Sequence, residues 1–433
     1  MKRKWFLGVF LTGLFLLAAS FFGAFSSFSG KLDRDALVED YEYLWGILED
    51  NFPLFEAAEA RYGIDRKEIY NRYKDSLIQS EEMDLADFYQ LLSACLDEFH
   101  YVGHLSVADV EMFKLYQDEA DHYVELREGA LWVYEDERAE RAYEYLEKKS
   151  GGEEKQAGKG TIGSEAENNI YLRYSGDIPI ITIDSFYCAN LDETERMTEK
   201  LKSVLKECRQ AEDIVIDLRG NSGGNTAVWQ YGFLPFLGKK EVTTTSYLAC
   251  MNGEFNQSIF PFDFMEETEY HSAGDGRNTE FEIACYPIHA DTDIREIAGR
   301  EMDALNDSEI IRCDLFLKVT KRLEFTEEER WAAEGDLWCF IDESTASAAL
   351  DFAMTLKDAG LAVILASGDG QVGKIGGLTL PPAQAMVLLP NSGLIVRYAP
   401  YYIMNSDGSC TEFGMWPDFV VDDMEFWVWE KGK

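Results

Sequence analysis

From Asp33 to about His100 the apolar positions recur at helical spacing: Leu37, Tyr41, Leu44 and Leu48 share one face, as do Phe88, Leu91, Leu92 and Cys95. This pattern predicts an N-terminal helical region. Residues 105–148 are rich in Glu, Asp, Tyr and Leu with further helix-like stretches, and they run into KKSGGEEKQAGKGTIGSEAEN, a polar, Gly-rich segment that reads as an exposed loop or linker. Beyond it the period changes. IPIITID is a short β-rich run, Asn190 with Glu193 makes a capping-box-like start to a helix carrying Met197, Leu201, Val204 and Leu205, and IVIDL is a fully apolar strand. LWCFID, a helix from Ser347 to Lys357, and LAVILA repeat the same order. Two strand–helix–strand units predict an α/β domain with a largely parallel, buried sheet. In such sheets ligands and catalytic groups gather beyond the carboxyl ends of the strands, where DLRGNSGG and DESTASAA both fall.

At the N-terminus Lys2, Arg3 and Lys4 precede WFLGVFLTGLFLLAASFFGAF, an apolar run without charge until Lys31 and long enough to span a bilayer. The basic residues favour a cytoplasmic N-terminus, so the remainder is expected outside the cytoplasm. Ala18 and Ser20 permit cleavage as a signal peptide, which would leave a secreted protein; the run continues through Phe21, Phe22 and Phe25, which favours a retained single-pass anchor in the cell membrane. The expected division is an anchor or signal segment over 1–30, a helical region over 31–104, an acidic insert and Gly-rich linker over 105–169, and an α/β core over 170–433.

Composition adds constraints. With 433 residues, 46% apolar and 13% aromatic, the chain can bury a large interior, and a formal net charge of −40 makes its surface strongly acidic. That charge argues against nucleic acid as a partner. The eight cysteines (95, 188, 208, 250, 285, 313, 339 and 410) show no C-x-x-C and no zinc-like spacing, so no metal framework is supported. An even count outside the cytoplasm permits disulfides, although Cys95 and Cys339 lie in apolar runs where a buried free thiol is commoner.

Two turns could carry chemistry. In DLRGNSGGN, residues 217–225, Gly223 and Gly224 allow backbone N–H groups to approach a ligand closely, as an oxyanion hole requires, although a Gly-rich turn after a strand is by itself common. In DESTASAALDF, Ser347 stands among small residues where a helix begins, so its hydroxyl can be exposed while the Ala348 N–H points to the same spot. The competing explanation is that Ser344, Thr345 or Ser347 only caps the helix. A nucleophilic serine needs a base, and there are five histidines: His100, His104, His122, His271 and His289. His100 and His104 lie in LDEFHYVGHLSV, where a periodic helix gives way to a loop and a short strand able to reach another domain's site. Lys374 in GQVGKIGG follows the strand after the Ser347 helix, and a desolvated lysine also serves as a general base. Glu412 in TEFGMWPDFVV could orient or polarise a histidine.

Taken together, these segments resemble the C-terminal-processing peptidase family of serine peptidases, which also contains the tricorn core. Three motifs carry the likeness over most of residues 33–433: IPIITIDSF with a helix and IVIDLRGNSGG; STASAALDFAMTLKDAG with a strand and a Gly-rich loop; and the closing E-F-G-x-x-P-D from Glu412 to Asp418. The lead-in ending in GHL is also similar. The resemblance implies an α/β, crotonase/ClpP-like core, Ser347 as nucleophile, an oxyanion hole from Gly223 or Gly224 with Ala348, a peptide or protein substrate, and neither metal nor cofactor. The family divides over the base, one branch having a lysine where Lys374 stands, the other a histidine matching His104 with a glutamate matching Glu412. The loop before Lys374 is about two residues longer than the lysine branch has, which favours Ser347, His104 and Glu412. The peptide-binding (PDZ) module often found in the family has no evident counterpart.

The expected activity is that of an extracytoplasmic serine endopeptidase. Two rivals remain at this level. One is a catalytically inactive peptide- or ligand-binding protein of the same fold; the other is a lyase or isomerase acting on acyl thioesters, against which the N-terminal apolar segment and the acidic surface both argue.

Overall fold

The computed structural model describes residues 30–119, 131–150, 166–188, 190–260, 268–273, 279–289, 313–330, 335–367, 371–374 and 384–421, with single positions at 292, 294, 424 and 427. The N-terminal apolar run and most of the Gly-rich linker lie outside the described residues. Among those described, no helix is long and apolar enough to cross a membrane.

The N-terminal helices are Arg34–Asn51, Phe55–Tyr62, Arg66–Ile78 and Leu85–Asp97. Asp33, Asp65 and Asp84 cap three of them, each carboxylate accepting N–H groups of the first turn. The stripe Leu37, Tyr41, Leu44 and Leu48 is fully buried, as the helical period requires. It packs with Phe88, Leu92, Cys95 and Phe99 into one core that also takes in Val387, Ile395, Val396 and Tyr398 from the far end of the chain.

A six-stranded sheet holds the two strand–helix–strand units. Its spatial order is Phe419–Val420, Val363–Ala366, Asp336–Ile341, Asp213–Asp217, Ile178–Ile183 and Ile170–Ser175, and every neighbouring pair is parallel except the last. One face, with Ile181, Ile183, Ile214 and Ile216, packs under the Leu191–Glu207 and Ala348–Asp358 helices. The other face, with Ile178, Ile180, Val215 and Phe340, packs with Trp338, Met424 and Trp427. Burial on both faces is why these strands read as unbroken apolar runs. Asn190 Oδ1 accepts the Glu193 N–H at 2.9 Å, the cap expected for the first crossover helix.

Among the described residues three further sheets are antiparallel: Lys31–Asp33 pairs with Glu82–Asp84, and two are larger. One runs Tyr401–Met404, Glu241–Cys250, Leu315–Glu324, Thr279–Pro287 and Thr268–Ala273. The other pairs Ala385–Leu388 with Ile395–Tyr398 and the latter with Ser106–Val107, so the segment after His104 joins a C-terminal hairpin. Buried polar clamps fix this union of chain ends. The Asp40 carboxylate accepts the Asn391 N–H at 2.8 Å and the Ser392 N–H at 2.7 Å. The Asn256 N–H donates to Asn51 Oδ1 at 2.8 Å while Asn256 Oδ1 accepts the Tyr398 hydroxyl at 3.0 Å. All eight cysteines are free thiols, Cys95 and Cys339 among the buried ones.

Candidate active site

The Gly-rich turn and the Ser347 turn sit side by side because the strands that feed them, Asp213–Asp217 and Asp336–Ile341, are parallel neighbours. Short polar contacts stitch the two together. Thr345 Oγ1 donates to the Leu218 carbonyl at 3.0 Å, the Ala346 N–H to the Asn221 carbonyl at 2.9 Å, and the Gly220 N–H to Asp342 Oδ1 at 3.0 Å. Asp342 Oδ1 also holds the N–H groups of Ser344 and Thr345. Asp217 and Arg219 form a two-point ion pair beneath the turn.

Ser347 precedes the first residue of the Ala348–Asp358 helix with φ 50° and ψ −126°, and its side chain makes no capping hydrogen bond. It is exposed between buried Ala346 and Ala348. The helix-cap explanation of this serine therefore does not describe its hydroxyl, which is left pointing outward on a strained backbone. Among the described residues, non-glycine positions with positive φ are His100, Tyr101, His104 and Ser347. Such conformations cost about 1–3 kcal/mol each and persist where surrounding contacts enforce them. Here they fall on the Ser347 turn and on the loop that carries His100 and His104.

Gly223 backs directly onto the serine. A Cβ there would stand 2.7 Å from Ser347 Cβ, 2.8 Å from the Ala346 carbonyl oxygen and 3.0 Å from the Ala348 nitrogen. At Gly224 a Cβ would lie 2.1 Å from the Phe186 carbonyl carbon. Both glycines have positive φ, 103° and 136°, so side chains are excluded on two counts. The Gly223 N–H is already spent on Asn221 Oδ1, at 2.9 Å. Among the described residues no hydrogen bond engages the N–H of Gly224, which follows the glycine packed on the serine, or of Ala348, which follows the serine itself. Asn221, fully buried and also donating from Nδ2 to the Ile183 carbonyl at 2.8 Å, braces the turn; sequence reasoning passed over it.

Lys374 lies against the same turn through its backbone. The Ser347 N–H donates to its carbonyl at 3.3 Å and its own N–H to the Thr345 carbonyl at 3.0 Å, but its side chain is exposed. A lysine base requires the opposite environment, one that disfavours the ammonium. The segment carrying Lys374 continues the connection: Val372 and Met415 exchange backbone hydrogen bonds at 2.9 Å each, which brings the Thr411–Phe413 turn alongside. There Glu412 Oε2 accepts the Gly103 N–H at 2.9 Å. Backbone contacts thus run from Ser347 through Lys374 and Val372 to Met415, and the Glu412 carboxylate carries the connection on to the residue before His104.

His104 is mostly enclosed. Burial first, then the nearby Arg397 guanidinium, depresses its imidazole to about 4, so the ring is neutral near pH 7. Burial pushes the Glu412 carboxyl up to about 7, against the opposing effect of the Gly103 N–H. Among the described residues the imidazole makes no hydrogen bond to Ser347 or Glu412; Glu412 meets the loop of His104 at its backbone. The other histidines divide differently. His100 is exposed and stacks on Tyr62 with ring centroids 4.1 Å apart, His289 is exposed, and His122 lies outside the described residues. Arg397, also missed from sequence, packs its guanidinium over the Tyr101 ring beside His104.

Among the described residues no group of three or more His, Cys, Asp or Glu side chains is arranged to hold a metal ion. The chemistry on offer is that of an exposed hydroxyl, two backbone N–H donors, a neutral imidazole and a carboxyl of raised proton affinity.

Comparison with known proteins gives the family. The family model described as Peptidase family S41 matches residues 177–421, more than half the chain and including both turns and Glu412. No curated protein matches. Among solved structures, a Parabacteroides merdae protein shares 17% identity over 93% of each chain with a TM-score of 0.48. Mature CPAF bound to lactacystin shares 11% over 92% of this chain and 96% of that one, at 0.48. The photosystem II D1 C-terminal processing protease shares 14% over 59% and 48%, at 0.30. These distant likenesses carry no weight on their own. The family model does, and by it this chain belongs to peptidase family S41 and is a serine-type peptidase.

Proposed function

We propose that the protein is an extracytoplasmic endopeptidase that cleaves peptide or protein substrates through an acyl-enzyme on Ser347, with His104 as general base. The observation that carries this reading is the exposed, uncapped Ser347 hydroxyl on a positive-φ turn beside the unengaged N–H groups of Gly224 and Ala348. The serine attacks the scissile carbonyl and His104 takes its proton. Gly224 and Ala348 stabilise the oxyanion. The imidazolium returns the proton to the leaving amine, and water then releases the acyl group. A neutral imidazole is the form able to start that cycle. Glu412 favours the imidazolium once ionised and steadies its loop through Gly103. His104 and Ser347 close into hydrogen-bond contact with substrate bound, as catalytic pairs commonly tighten from the free enzyme. Lys374 is the alternative base, and its exposure weighs against it.

The core is assigned to the crotonase/ClpP-like group, in keeping with two parallel strand–helix–strand units. Residues 1–30 are proposed as a single-pass membrane anchor that leaves the catalytic region outside the cytoplasm. Peptide hydrolysis by the parent and by Ser347→Ala tests the activity: the variant should retain less than about one part in a thousand of the rate, and a variant as active as the parent contradicts it.

A further inference from the structure

Arg397 lies on the Ile395–Tyr398 strand, nine-tenths buried, in a chain with 80 acidic and 40 basic residues, yet no ion pair to a carboxylate engages it among the described residues. Its partners are neutral oxygens. Nε donates to Ser106 Oγ at 3.0 Å, one terminal nitrogen to the Tyr101 hydroxyl, and the other to Gln384 Oε1 at 3.5 Å. A buried guanidinium without a counter-charge is costly, and in a protein this acidic a carboxylate partner would be easy to supply.

Each of its two closer partners leads to His104. Ser106 Oγ donates to the His104 carbonyl at 3.1 Å, so guanidinium, hydroxyl and carbonyl form a chain that fixes the backbone of a residue at φ 55°. The Tyr101 ring, held beneath the guanidinium at 5.4 Å, meets the imidazole edge-on with centroids 5.4 Å apart. The Ala399 N–H, two residues beyond the arginine, donates to the Gly103 carbonyl. Resting on the reading of His104 as base, we infer that Arg397 is a positioning residue. It locks His104 in its strained conformation from two sides and supplies the positive charge in whose field the imidazole works.

Among the described residues, the titratable and charged groups about the imidazole are Arg397 from the hairpin, Tyr101 from its own loop, with Asp109 and Tyr116 acting on that tyrosine, and Glu412 through Gly103 from the C-terminal turn. Arg397 and Glu412 act in opposite directions. Burial, reinforced by the arginine, keeps the resting imidazole unprotonated, and the ionised glutamate favours the imidazolium formed when Ser347 gives up its proton.

The test follows the His104 ring signals by NMR against pH in the parent, Arg397→Gln and Arg397→Lys, together with kcat and KM on a peptide. In Arg397→Gln the His104 midpoint should climb by up to roughly one pH unit, the larger, burial-driven part of its depression remaining. In Arg397→Lys it should stay near the parent's, because the charge remains, while kcat falls about tenfold or more with KM little changed, because a lysine cannot hold Ser106 and Tyr101 together. Should Arg397→Gln fail to fold, Ser106→Ala with Arg397→Lys decides the matter: reduced kcat in both supports the inference, and parental kcat in both overturns it. A folded Arg397→Gln with the parent's titration midpoint also overturns it. The titration reads the arginine even in a protein that hydrolyses nothing, so failure of the peptidase reading stays distinguishable from failure of this one.

Discussion

The N–H of Gly103 donates to Glu412 Oε2 at 2.9 Å across 309 positions of sequence. That one contact ties the loop of the candidate base to the C-terminal turn, and the same turn is hydrogen-bonded through Met415 and Val372 to the segment that flanks Ser347. The carboxyl involved is partly buried and held near 7, and its placement makes both function and stability depend on its ionisation.

Stability should improve in Glu412→Gln, but only where the carboxylate is ionised. Below pH 4.5 the side chain is protonated folded or unfolded; between 4.5 and about 7 the unfolded chain releases a proton that the folded one retains. Stability is therefore lost as pH rises through about 7 and stays lost above it. Discounted for partial exposure, the substitution should add on the order of 2 kcal/mol at pH 8 and close to nothing at pH 4. Urea titrations at the two pH values measure it, and equal gains at both would show that burial of charge is not the cause.

Activity should move the other way. With His104 depressed to about 4, the base is already neutral at pH 5, so the acid limb of kcat/KM should instead follow Glu412 and rise through about pH 7. In Glu412→Gln the plateau should drop by about tenfold or more and that limb should vanish. A parental limb in the variant would assign it to another group.

Gly223→Ala should abolish turnover, by about a hundredfold or more, because the added methyl meets Ser347 Cβ at 2.7 Å and the Ala346 carbonyl at 2.8 Å. The serine turn must move to make room. Hydrolysis assays on folded variant protein check this, and turnover within a factor of about three of the parent would mean that the turn yields without cost.

Part of this architecture was legible from sequence and part was not, for physical reasons. Strands such as Asp213–Asp217 and Asp336–Ile341 announce themselves because both of their faces are buried. The Leu37, Tyr41, Leu44 and Leu48 stripe is equally plain because one helix face meets the core. The five-stranded antiparallel sheet escaped notice, although Leu317, Val319 and Leu323 alternate with more exposed positions along Leu315–Glu324. Buried Lys321, with its ammonium 5.6 Å above the Trp229 ring, interrupts the apolar series at the inward position between them. At the site, Ser347 and the glycines carry local signatures. Asn221 and Arg397 do not, since the importance of Arg397 comes from Ser106 and Tyr101, partners some 290 positions away.

Asp40→Ala should destabilise the protein by about 2–4 kcal/mol, since it leaves the buried N–H groups of Asn391 and Ser392 without an acceptor. Chemical denaturation at neutral pH measures the loss. A change below about 0.5 kcal/mol would show that the clamp between the first helix and the C-terminal hairpin is not needed.

The central claim is tested most directly by labelling the folded soluble region with a serine-directed fluorophosphonate, comparing parent, Ser347→Ala, His104→Ala and Lys374→Ala. The account expects labelling of the parent and of Lys374→Ala, and its loss in Ser347→Ala and His104→Ala. Labelling that survives His104→Ala but disappears with Lys374→Ala would contradict the histidine assignment. A folded parent that takes no label would contradict Ser347 as an active nucleophile and leave a ligand-binding protein built on the peptidase fold.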